Sequence, residues 1–499
     1  MPMLTRNPSS MMSPEPSFSF ITTLSFSVNN AMGAGFLTLP HAFYKSGIVL
    51  GIFCLGIIAI PLLLSIPMLL ETMARGDLAY RVHLQSELKD SIPNESTPLA
   101  LGQSKPLQLK SLRVFDGEMY EGRLMVGSEK FEICELCQIF MSNRWKSLFT
   151  FLMALYSYGC LWAFAAVFGH ALAMVYPFAP GSNHLANYLI YVALYTAIVT
   201  PLTVIGVNEQ VQLQRFLFYC RVLVVVIMVS STLSAYIQAR DPPLHGAEPT
   251  PMIDISGLAI TLPIAAYAFL FTPQIPVISE PVQDKRQLNN IFYGTVVACA
   301  IGYTSVAVFV SLLFGSEVYS SCNLHWATYT AGGYMSSRSA SVFGKLLVNS
   351  VSYYCLAFPA IDVVSAFPLM AIGLGNNLAA TCSCFGDEEG LDEDQMSRRV
   401  TVFRLLASVP PLIGACFMSN LGVITSYTGI SGCFLGFIFP PLLSLYSERY
   451  FEHRQWNADT IHSRRYATVS RHAMVVFGVV LIGYVLTMAI LTPAEVHDL

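Results

Sequence analysis

The sequence predicts an all-α integral membrane protein with about eleven transmembrane helices. Three observations indicate this fold class: 54% of the 499 residues are hydrophobic, only 12% are charged, and long apolar stretches recur along the whole chain. A helix that crosses the bilayer needs about 20 consecutive, mostly apolar residues. The composition therefore excludes a soluble globular domain and favours several membrane spans.

Eleven stretches of the chain meet this length requirement. They lie near 18–44, 48–74, 147–176, 185–207, 211–238, 257–279, 290–314, 342–372, 401–418, 421–446 and 472–492. The ninth is the least regular, because it contains Pro410 and Pro411. Only Ser419 and Asn420 separate it from the tenth, which predicts a tight hairpin.

Lysine and arginine are concentrated on one side of these spans. With a cytosolic N-terminus, the loops 75–146, 208–221, 281–289, 373–404 and 447–471 are cytosolic as well. Of the 27 basic residues, only Lys45, Arg240, Arg338 and Lys345 then lie on the other side. Cytosolic loops are enriched in these residues. We therefore predict a cytosolic N-terminus and a C-terminus on the opposite side, in either a plasma or a vacuolar or lysosomal membrane.

The same pattern divides the chain into segments. Residues 1–17 have no apolar core and are expected to be a cytosolic tail rather than a cleaved signal. Helices one to five occupy 18–238 with the long loop 75–146, helices six to ten occupy 257–446, and a loop at 447–471 precedes the last helix at 472–492.

The first span contains residues that oppose a continuous helix. Asn29, Asn30, Gly33 and Gly35 lie at its centre, and glycine and asparagine are poor helix formers. An unwound segment survives in the membrane only where protein encloses it or water reaches it, because an unpaired amide in hydrocarbon costs several kcal/mol. The alternative is a continuous helix whose small residues allow a close helix crossing.

The sixth span has a second potential interruption. Pro273 and Pro276 flank Gln274, and a proline inside a helix removes a hydrogen bond and clashes with the preceding turn. An ordinary proline kink is the alternative. Interruptions in spans one and six together predict a 5+5 inverted repeat with broken helices 1 and 6, a substrate site at mid-membrane and one extra C-terminal helix.

At this point several motifs resemble a known family. They are Asn30-x-x-Gly33-Ala34-Gly35-Phe36-Leu37-x-Leu39-Pro40 in span one, Phe131-Glu-Ile-Cys134 before span three, Asn208-Glu209-x-x-Gln212 before span five, Tyr267-Ala-Phe-x-Phe271 in span six and Thr428-Gly429-x-x-Gly432 in span ten. Together they resemble the amino acid/auxin permease family of the amino acid–polyamine–cation superfamily. The resemblance implies a transmembrane amino acid transporter with eleven spans and a coupling ion, H⁺ or Na⁺.

The resemblance also implies where the substrate binds. Backbone N–H groups of Gly33, Ala34 and Gly35 are expected to bind the substrate carboxylate. Carbonyl groups at the two breaks are expected to bind the substrate ammonium group. The candidate substrate-binding residues are Asn30, Met32, Gly33, Ala34, Gly35, Tyr156, Phe269, Phe271, Thr272 and Ser426, with Tyr158 and Tyr427 as further options for selectivity. Thr272 stands where many relatives have a histidine, which leaves the side-chain class of the substrate open.

The coupling ion follows from spans one and eight. Sodium sites of this architecture use carbonyls and the Asn side chain of span one, here Asn29, with hydroxyls of span eight. The matching span-eight positions hold Cys355 and Leu356, poor ligands for a hard cation, although Ser350 and Ser352 lie about one turn away. We therefore favour H⁺ over Na⁺.

Asp362 is the candidate proton carrier. It lies in an apolar stretch of span eight, and an intramembrane carboxylate is a functional-site hypothesis. The alternative places it near the cytosolic end, paired with Arg404 or water. Arg221 is expected to snorkel to the cytosolic interface. The candidate ion-coupling residues are thus Asn29, Ser350, Ser352 and Asp362.

These observations predict a secondary active transporter that moves neutral amino acids by alternating access, coupled to protons. The alternatives are an amino-acid-binding membrane sensor and a sodium-coupled or cationic amino acid transporter. An enzyme is disfavoured, because no nucleophile motif or phosphate-binding loop occurs; Gly33-Ala34-Gly35 is not followed by the required Lys. We expect no cofactor, no metal site and no nucleic acid partner; the expected partners are the amino acid and the lipid bilayer.

Overall fold

The computed structural model describes residues 18–90, 119–120, 123–127, 131–178, 184–205, 211–238, 246–329, 341–381, 393–456, 459–462 and 468–491. Most of the acidic stretch 384–394 lies outside these residues, and so do Asn208 and Glu209 of the motif before span five.

The helices are α1 (Phe20–Ala31), α2 (Leu39–Ser46), α3 (Ile48–Asp90), α4 (Ile133–Phe140), α5 (Asn143–Val175), α6 (His184–Ile205), α7 (Val211–Gln238), α8 (Leu258–Phe269), α9 (Ile275–Ser279), α10 (Leu288–Phe314), α11 (Val342–Thr381), α12 (Glu393–Phe417), α13 (Leu421–Cys433), α14 (Phe439–His453) and α15 (Thr468–Leu491). Strands β1 (Met119–Tyr120) and β2 (Arg123–Leu124) form a short antiparallel hairpin.

The fold is that of an all-α integral membrane protein, as predicted. Within the described residues, ten helical segments are long and apolar enough to cross a membrane. The first predicted span is not among them because it is interrupted, and each of its two helices, α1 and α2, is shorter than a bilayer crossing. These ten segments, of which Ile255–Ser279 contains a second interruption, and the interrupted first span account for the eleven predicted spans.

Several helices are longer than their apolar stretches. Helix α3 continues to Asp90, so the predicted loop 75–146 begins as a helix. Polar contacts anchor this extension: the Arg75 Nη1 atom lies 2.9 Å from Ser447 Oγ, and both residues are buried. Hydropathy detects the membrane-embedded part of a helix and not its polar continuation, which explains the difference. The same predicted loop ends in helix α4 (Ile133–Phe140), and α12 continues through Pro410 and Pro411.

The centre of the bundle is the long helix α5. It packs against α11, α13, α6 and α12, while α13 also packs on α8. Helix α1 lies against α10 and α7, and α14 against α3 and α15. Helix α8 packs on α2, so the two interrupted spans meet each other, and α5, α10 and α13 surround them.

One end of the bundle brings together Phe18, the first described residue, and several loops. The Phe18 amide donates to Pro281 O at 2.9 Å, the Leu124 amide donates to Asp459 O at 2.9 Å, and Lys285 Nζ lies 3.0 Å from Gly127 O. These contacts bring the residues that precede α1, the β1–β2 hairpin, the α9–α10 turn and the α14–α15 loop together. We call this end the N-terminal face.

The opposite end is covered by a 3₁₀ segment, Cys322–Thr328, which we call the cap. Trp326 is fully buried and its indole N–H lies 3.2 Å from Ser231 Oγ of α7. Asn323 Nδ2 lies 3.3 Å from Leu356 O of α11. The cap thus bridges α7 and α11 at the end away from the N-terminal face.

Candidate substrate site

The first span breaks where its sequence predicts. Helix α1 ends at Ala31, Met32 and Gly33 leave the helical conformation, and a 3₁₀ turn, Ala34–Leu37, precedes α2. Gly33 is extended, with φ −74° and ψ −157°, and Pro40 occupies the first turn of α2. Gly33 therefore lies at the junction between the two helical parts of the first span.

The sixth span breaks as well. Helix α8 ends at Phe269 and Leu270 is extended, with ψ 103°. A turn at Thr272–Gln274 then leads into α9, and Pro273 and Pro276 stand in the first turns of these two segments. Proline is well tolerated there because the first N–H groups of a helix lack partners. The prolines thus start the second half rather than kink one continuous helix.

Tyrosine hydroxyls bind carbonyl groups that the two breaks release. The Tyr303 hydroxyl of α10 lies 3.0 Å from Ala31 O and 2.8 Å from Ala268 O, so it joins the ends of α1 and α8. Tyr156 donates to Leu270 O at 3.2 Å. Carbonyl groups at helix ends need such partners inside a membrane. The role of Tyr303 could not be predicted, since it depends on two spans far apart in the sequence.

A buried ion pair lies beside the first break. Arg221 of α7 donates to the carbonyl oxygens of Asn29 and Met32 and to the Asp362 carboxylate of α11. The Arg221 side chain is only 3% exposed and that of Asp362 12%. The prediction that Arg221 reaches the cytosolic interface is wrong. A buried charge loses its hydration, and the attraction between Arg221 and Asp362 offsets part of this desolvation cost for both side chains.

Arg404 has a different partner from the one considered for it. It donates to Val204 O at 3.2 Å, while Asp362 pairs with Arg221. Sequence spacing favoured Arg404 because it lies in the next span. The fold instead brings α7 against α1 and α11, so the cation comes from span five.

Three neighbouring cavities surround the first break. One of about 90 Å³ is lined by Gly33, Arg221 and Asp362, and one of about 50 Å³ by Gly33, Gly35 and Tyr156. A larger one of about 310 Å³ is lined by residues of α4, α5, α9 and α11. Asn30, Gln274 and Met370 line all three. Helix α4 packs on α3 and α14, and its Phe140 ring lies 5.4 Å from that of Tyr450, close to the end of α14 that leads into the N-terminal face. Because the three cavities share lining residues, together they extend from this face towards Gly33.

The two glycines of the break have different surroundings. A Cβ atom on Gly33 would meet no atom within 4 Å. A Cβ atom on Gly35 would lie 2.7 Å from Ala268 Cα and 2.9 Å from Tyr267 Cδ1 of α8. Gly33 therefore borders open space, whereas Gly35 allows close packing of the two interrupted spans. The close approach that the alternative predicted is therefore found at Gly35, but the helix is interrupted and not continuous.

The structure brings only part of the predicted substrate-binding set to the cavities. The predicted residues that line a cavity are Asn30, Gly33, Gly35 and Tyr156. The carbonyl oxygen of Met32 accepts a hydrogen bond from Arg221. Phe269 is packed against Tyr303 with ring centroids 5.0 Å apart, and Phe271 lies 6.0 Å from Phe292. Ala34, Thr272 and Ser426 are buried and line none of these cavities. Tyr158 donates to Leu406 O, and Tyr427 is about half exposed on the bundle surface.

The predicted ion-coupling residues separate into two groups. Asn29 and Asp362 line the 90 Å³ cavity. Ser352 donates to Trp326 O in the cap, and Ser350 is exposed on the bundle surface. Neither serine lines a cavity at the break.

Sequence reasoning missed several cavity residues. Arg221, Phe164, Gln274 and Met370 all line the space beside Gly33. Arg221 had a visible signal, since it is a second charge within an apolar stretch, and opposite intramembrane charges commonly pair. Phe164 and Met370 look like many other apolar residues of their spans, so the sequence held no comparable signal for them.

Comparison with known proteins identifies the family. The family model described as "Transmembrane amino acid transporter protein" matches residues 126–491. The chain is similar to Transmembrane protein 104 homolog of Dictyostelium discoideum, 22% identical over 451 residues, which are 86% of this chain and 88% of that protein. It is also similar to Transmembrane protein 104 of Homo sapiens, 21% identical over 464 residues, 87% and 88% of the two chains.

A shorter region resembles a protein with a more specific name. The chain is 28% identical over 114 residues to Amino acid transporter AVT1I of Arabidopsis thaliana, 23% of this chain and 27% of that protein. The family match begins at residue 126, so α1 and α2 with the first break lie outside it. Because the match covers well over half of the sequence, the chain belongs to the transmembrane amino acid transporter family.

Proposed function

We propose that this protein is a secondary active transporter that carries a neutral amino acid across its membrane by alternating access, coupled to protons. The observation that carries the proposal is the path from the N-terminal face to Gly33, between two interrupted helices. Broken helices at mid-membrane are where transporters expose backbone groups to a substrate. Membership of the transmembrane amino acid transporter family supports the substrate class.

The substrate carboxylate is proposed to bind beside Gly33. The Gly33 amide itself donates to Ala31 O at 3.0 Å, so the proposed donors are the amides of Ala34 and Gly35 at the start of the turn Ala34–Leu37. The open space beside Gly33 admits a carboxylate, and a helix start attracts negative charge. Asn30 and Gln274 supply amide oxygens for the ammonium group, since both line the same space.

A neutral side chain fits the charges of the cavity best. Arg221 and Asp362 neutralise each other, so neither offers an uncompensated charge to a cationic or acidic side chain. Phe164, Leu369 and Met370 provide an apolar lining. A cationic substrate would compete with Arg221 for Asp362, which makes it the less favoured alternative.

Protons are the proposed coupling ion. Among the described residues that line the 90 Å³ cavity, Asp362 is the one with a carboxylate. A proton on Asp362 would cancel its charge and weaken its bond to Arg221, which couples protonation to the environment of the break. The serine hydroxyls considered for sodium lie at the cap and on the bundle surface instead.

The conformation is proposed to be the one open to the N-terminal face. The cavities lead from α4 to the break, whereas the cap, with its buried Trp326, lies over the other end. If the basic residues orient the protein as expected, this face is cytosolic. Alternating access then requires the cap region to open while the space beside α4 closes.

Uptake by proteoliposomes that contain the purified protein tests the proposal. A panel of labelled amino acids is offered with either a proton gradient or a sodium gradient, and empty liposomes serve as the control. We expect accumulation of a neutral amino acid with the proton gradient alone. Accumulation only with sodium would contradict proton coupling. Binding without any transport would favour an amino acid sensor instead.

A further inference from the structure

The three cavities beside the break differ in what they can hold. The cavity of about 310 Å³, which we call the vestibule, is lined by residues of α1, α4, α5, α9 and α11 and does not reach Gly33. Sites for small molecules usually have volumes of about 300–1,000 Å³. The vestibule falls within this range, whereas the cavities of about 90 Å³ and 50 Å³ at Gly33 do not. In this conformation the vestibule is therefore the one of the three that can enclose a whole amino acid.

The lining of the vestibule is acidic. Among the described residues that line it, Glu132 is the one with a charge at neutral pH. The side chains of Asn30, Gln274, Asn376 and Asn377 add amide groups, and the rest of the lining is mostly apolar. A carboxylate attracts a positive group more strongly where apolar walls keep most water away. The vestibule therefore favours a ligand with an ammonium group.

The position of the Glu132 carboxylate is fixed by helix α4. Glu132 is the N-cap of α4: its carboxylate accepts the amide of Glu135, and its own amide donates to Glu135 Oε2 at 2.9 Å. An ionised carboxylate offers about four acceptor positions, and the capping bond takes one of them. The capping box thus holds a negative charge at the wall of the vestibule before a ligand arrives. Glu135, the other acid of the box, does not line the vestibule.

A basic side chain close to α4 lies outside the vestibule. Lys146 Nζ of α5 lies 3.1 Å from Gln138 Oε1 of α4, and neither residue lines the vestibule. Because no described residue of the lining is basic, a positive group inside the vestibule has to come from a ligand.

We propose that the vestibule is an entry position for the amino acid, where Glu132 binds the ammonium group before the amino acid moves to the break. The inference rests on the proposed transport function and adds a first stop to its path. Asn30, Gln274 and Met370 line both the vestibule and the cavities at the break, so the two positions are continuous. Binding in the vestibule is expected to be the weaker of the two, because the helix-start amides of the break are not part of it.

A reporter thiol in the vestibule measures whether an amino acid occupies it. Gly373 of α11 lines the vestibule, and a Cβ atom there would meet no atom within 4 Å, so Gly373→Cys should be tolerated. The purified variant is alkylated with N-ethylmaleimide, and peptide mass spectrometry follows the modification of position 373. We expect L-leucine, whose side chain suits the apolar walls, to slow the reaction about tenfold at about ten times its half-protecting concentration. N-acetyl-L-leucine, which lacks the ammonium group, should not slow it.

The two glutamates of the capping box provide matched variants in the Gly373→Cys protein. Glu132→Gln keeps an acceptor for the cap but removes the charge from the vestibule. The half-protecting concentration of L-leucine should therefore rise about tenfold or more. Glu135→Gln keeps the capping box and should leave the protection unchanged.

Four results would each overturn the inference. They are a reporter thiol that does not react at all, a thiol that L-leucine does not protect, equal protection by L-leucine and N-acetyl-L-leucine, and equal protection in Glu132→Gln and Glu135→Gln. The first three need no change at Glu132, so they apply even if Glu132→Gln does not fold.

The same reporter separates the vestibule from the proposed function. Gly33→Val is expected to lose binding at the break, but Gly33→Val combined with Gly373→Cys should keep the protection by L-leucine. Protection without uptake of any amino acid would reject the transport function and leave the vestibule assignment standing. Uptake without protection would support the transport function and reject the entry position.

Discussion

The two interrupted spans differ in what their breaks expose. At the first break, Gly33 borders open space and the cavities reach it from the N-terminal face. At the second, the carbonyls of Ala268, Leu270 and Phe271 already accept bonds from Tyr303, Tyr156 and the Gln274 amide. Phe269 and Phe271 are about 1% exposed and packed among other rings. Only Gln274 of the second break lines all three cavities.

This difference shows that a helix break is not by itself a binding site. A break frees backbone groups, and the protein must then satisfy them or leave them for a ligand. At the second break the freed carbonyls are bonded within the chain, and Leu270, Pro273 and Gln274 form one wall of the 50 Å³ cavity. The first break keeps an open side at Gly33 and a charged cluster at Arg221. Substitutions at the two breaks should therefore have different consequences.

The largest effect is expected for Gly35→Val, which forces the breaks apart. The new side chain would collide with the backbone of Ala268, and moving a packed backbone segment costs more free energy than rotating a side chain. We expect a loss of stability of about 3 kcal/mol or more and little folded protein. Size-exclusion chromatography of the detergent-solubilised protein measures this. Gly56→Val is the matched control because its Cβ atom would meet nothing within 4 Å.

Asp362→Asn tests the charged side of the first break. The variant cannot take up a proton, so the ratio of uptake at acidic pH to uptake at neutral pH should fall to about one. Ser365→Ala is the control, because Ser365 lines the same cavity without titrating in this range. An unchanged pH profile in Asp362→Asn proteoliposomes would return Asp362 to a purely structural role.

His462 on the N-terminal face separates acid effects on the fold from acid effects on transport. Burial and the nearby Lys285 lower its pKa to about 4, whereas the unfolded chain takes up this proton near pH 6.5. Because the unfolded state binds the proton first, stability should fall as the pH drops from about 6.5 to 4, on the order of 2–3 kcal/mol in total. His462→Leu should flatten this part of the stability profile and leave the pH profile of uptake unchanged. A stability profile that His462→Leu does not alter would contradict this assignment.

The smallest effect is expected for an aromatic residue of the second break. Phe269→Leu should cost about 1–2 kcal/mol of stability, because the ring packs on Tyr303, and should leave the order of preferred substrates unchanged. Phe164→Leu should alter that order, since Phe164 lines the space beside Gly33. Competition of unlabelled amino acids with uptake measures both. A changed order in Phe269→Leu would mean that the second break also recognises the side chain.

The sequence predicted the spans and the breaks well because their signals are local. Apolar stretches locate helices, and Gly33, Pro273 and Pro276 interrupt them by their own backbone preferences. The partners of the freed groups could not be predicted in the same way. Arg221, Tyr303 and Asp362 come from three different spans and meet only through packing. The selectivity residues were the hardest to predict from the sequence, because Phe164, which lines a cavity, and Phe269, which is buried, both occur in apolar stretches.

The central claim is that the substrate binds in the open space beside Gly33. Equilibrium binding of the amino acid identified by uptake, measured with purified Gly33→Val and Gly56→Val proteins, tests it most directly. Both sites tolerate a Cβ atom, so both proteins should fold. We predict that Gly33→Val loses binding, because its side chain fills the space, and that Gly56→Val binds like the wild type. Equal binding by the two variants would contradict the assignment of the substrate site.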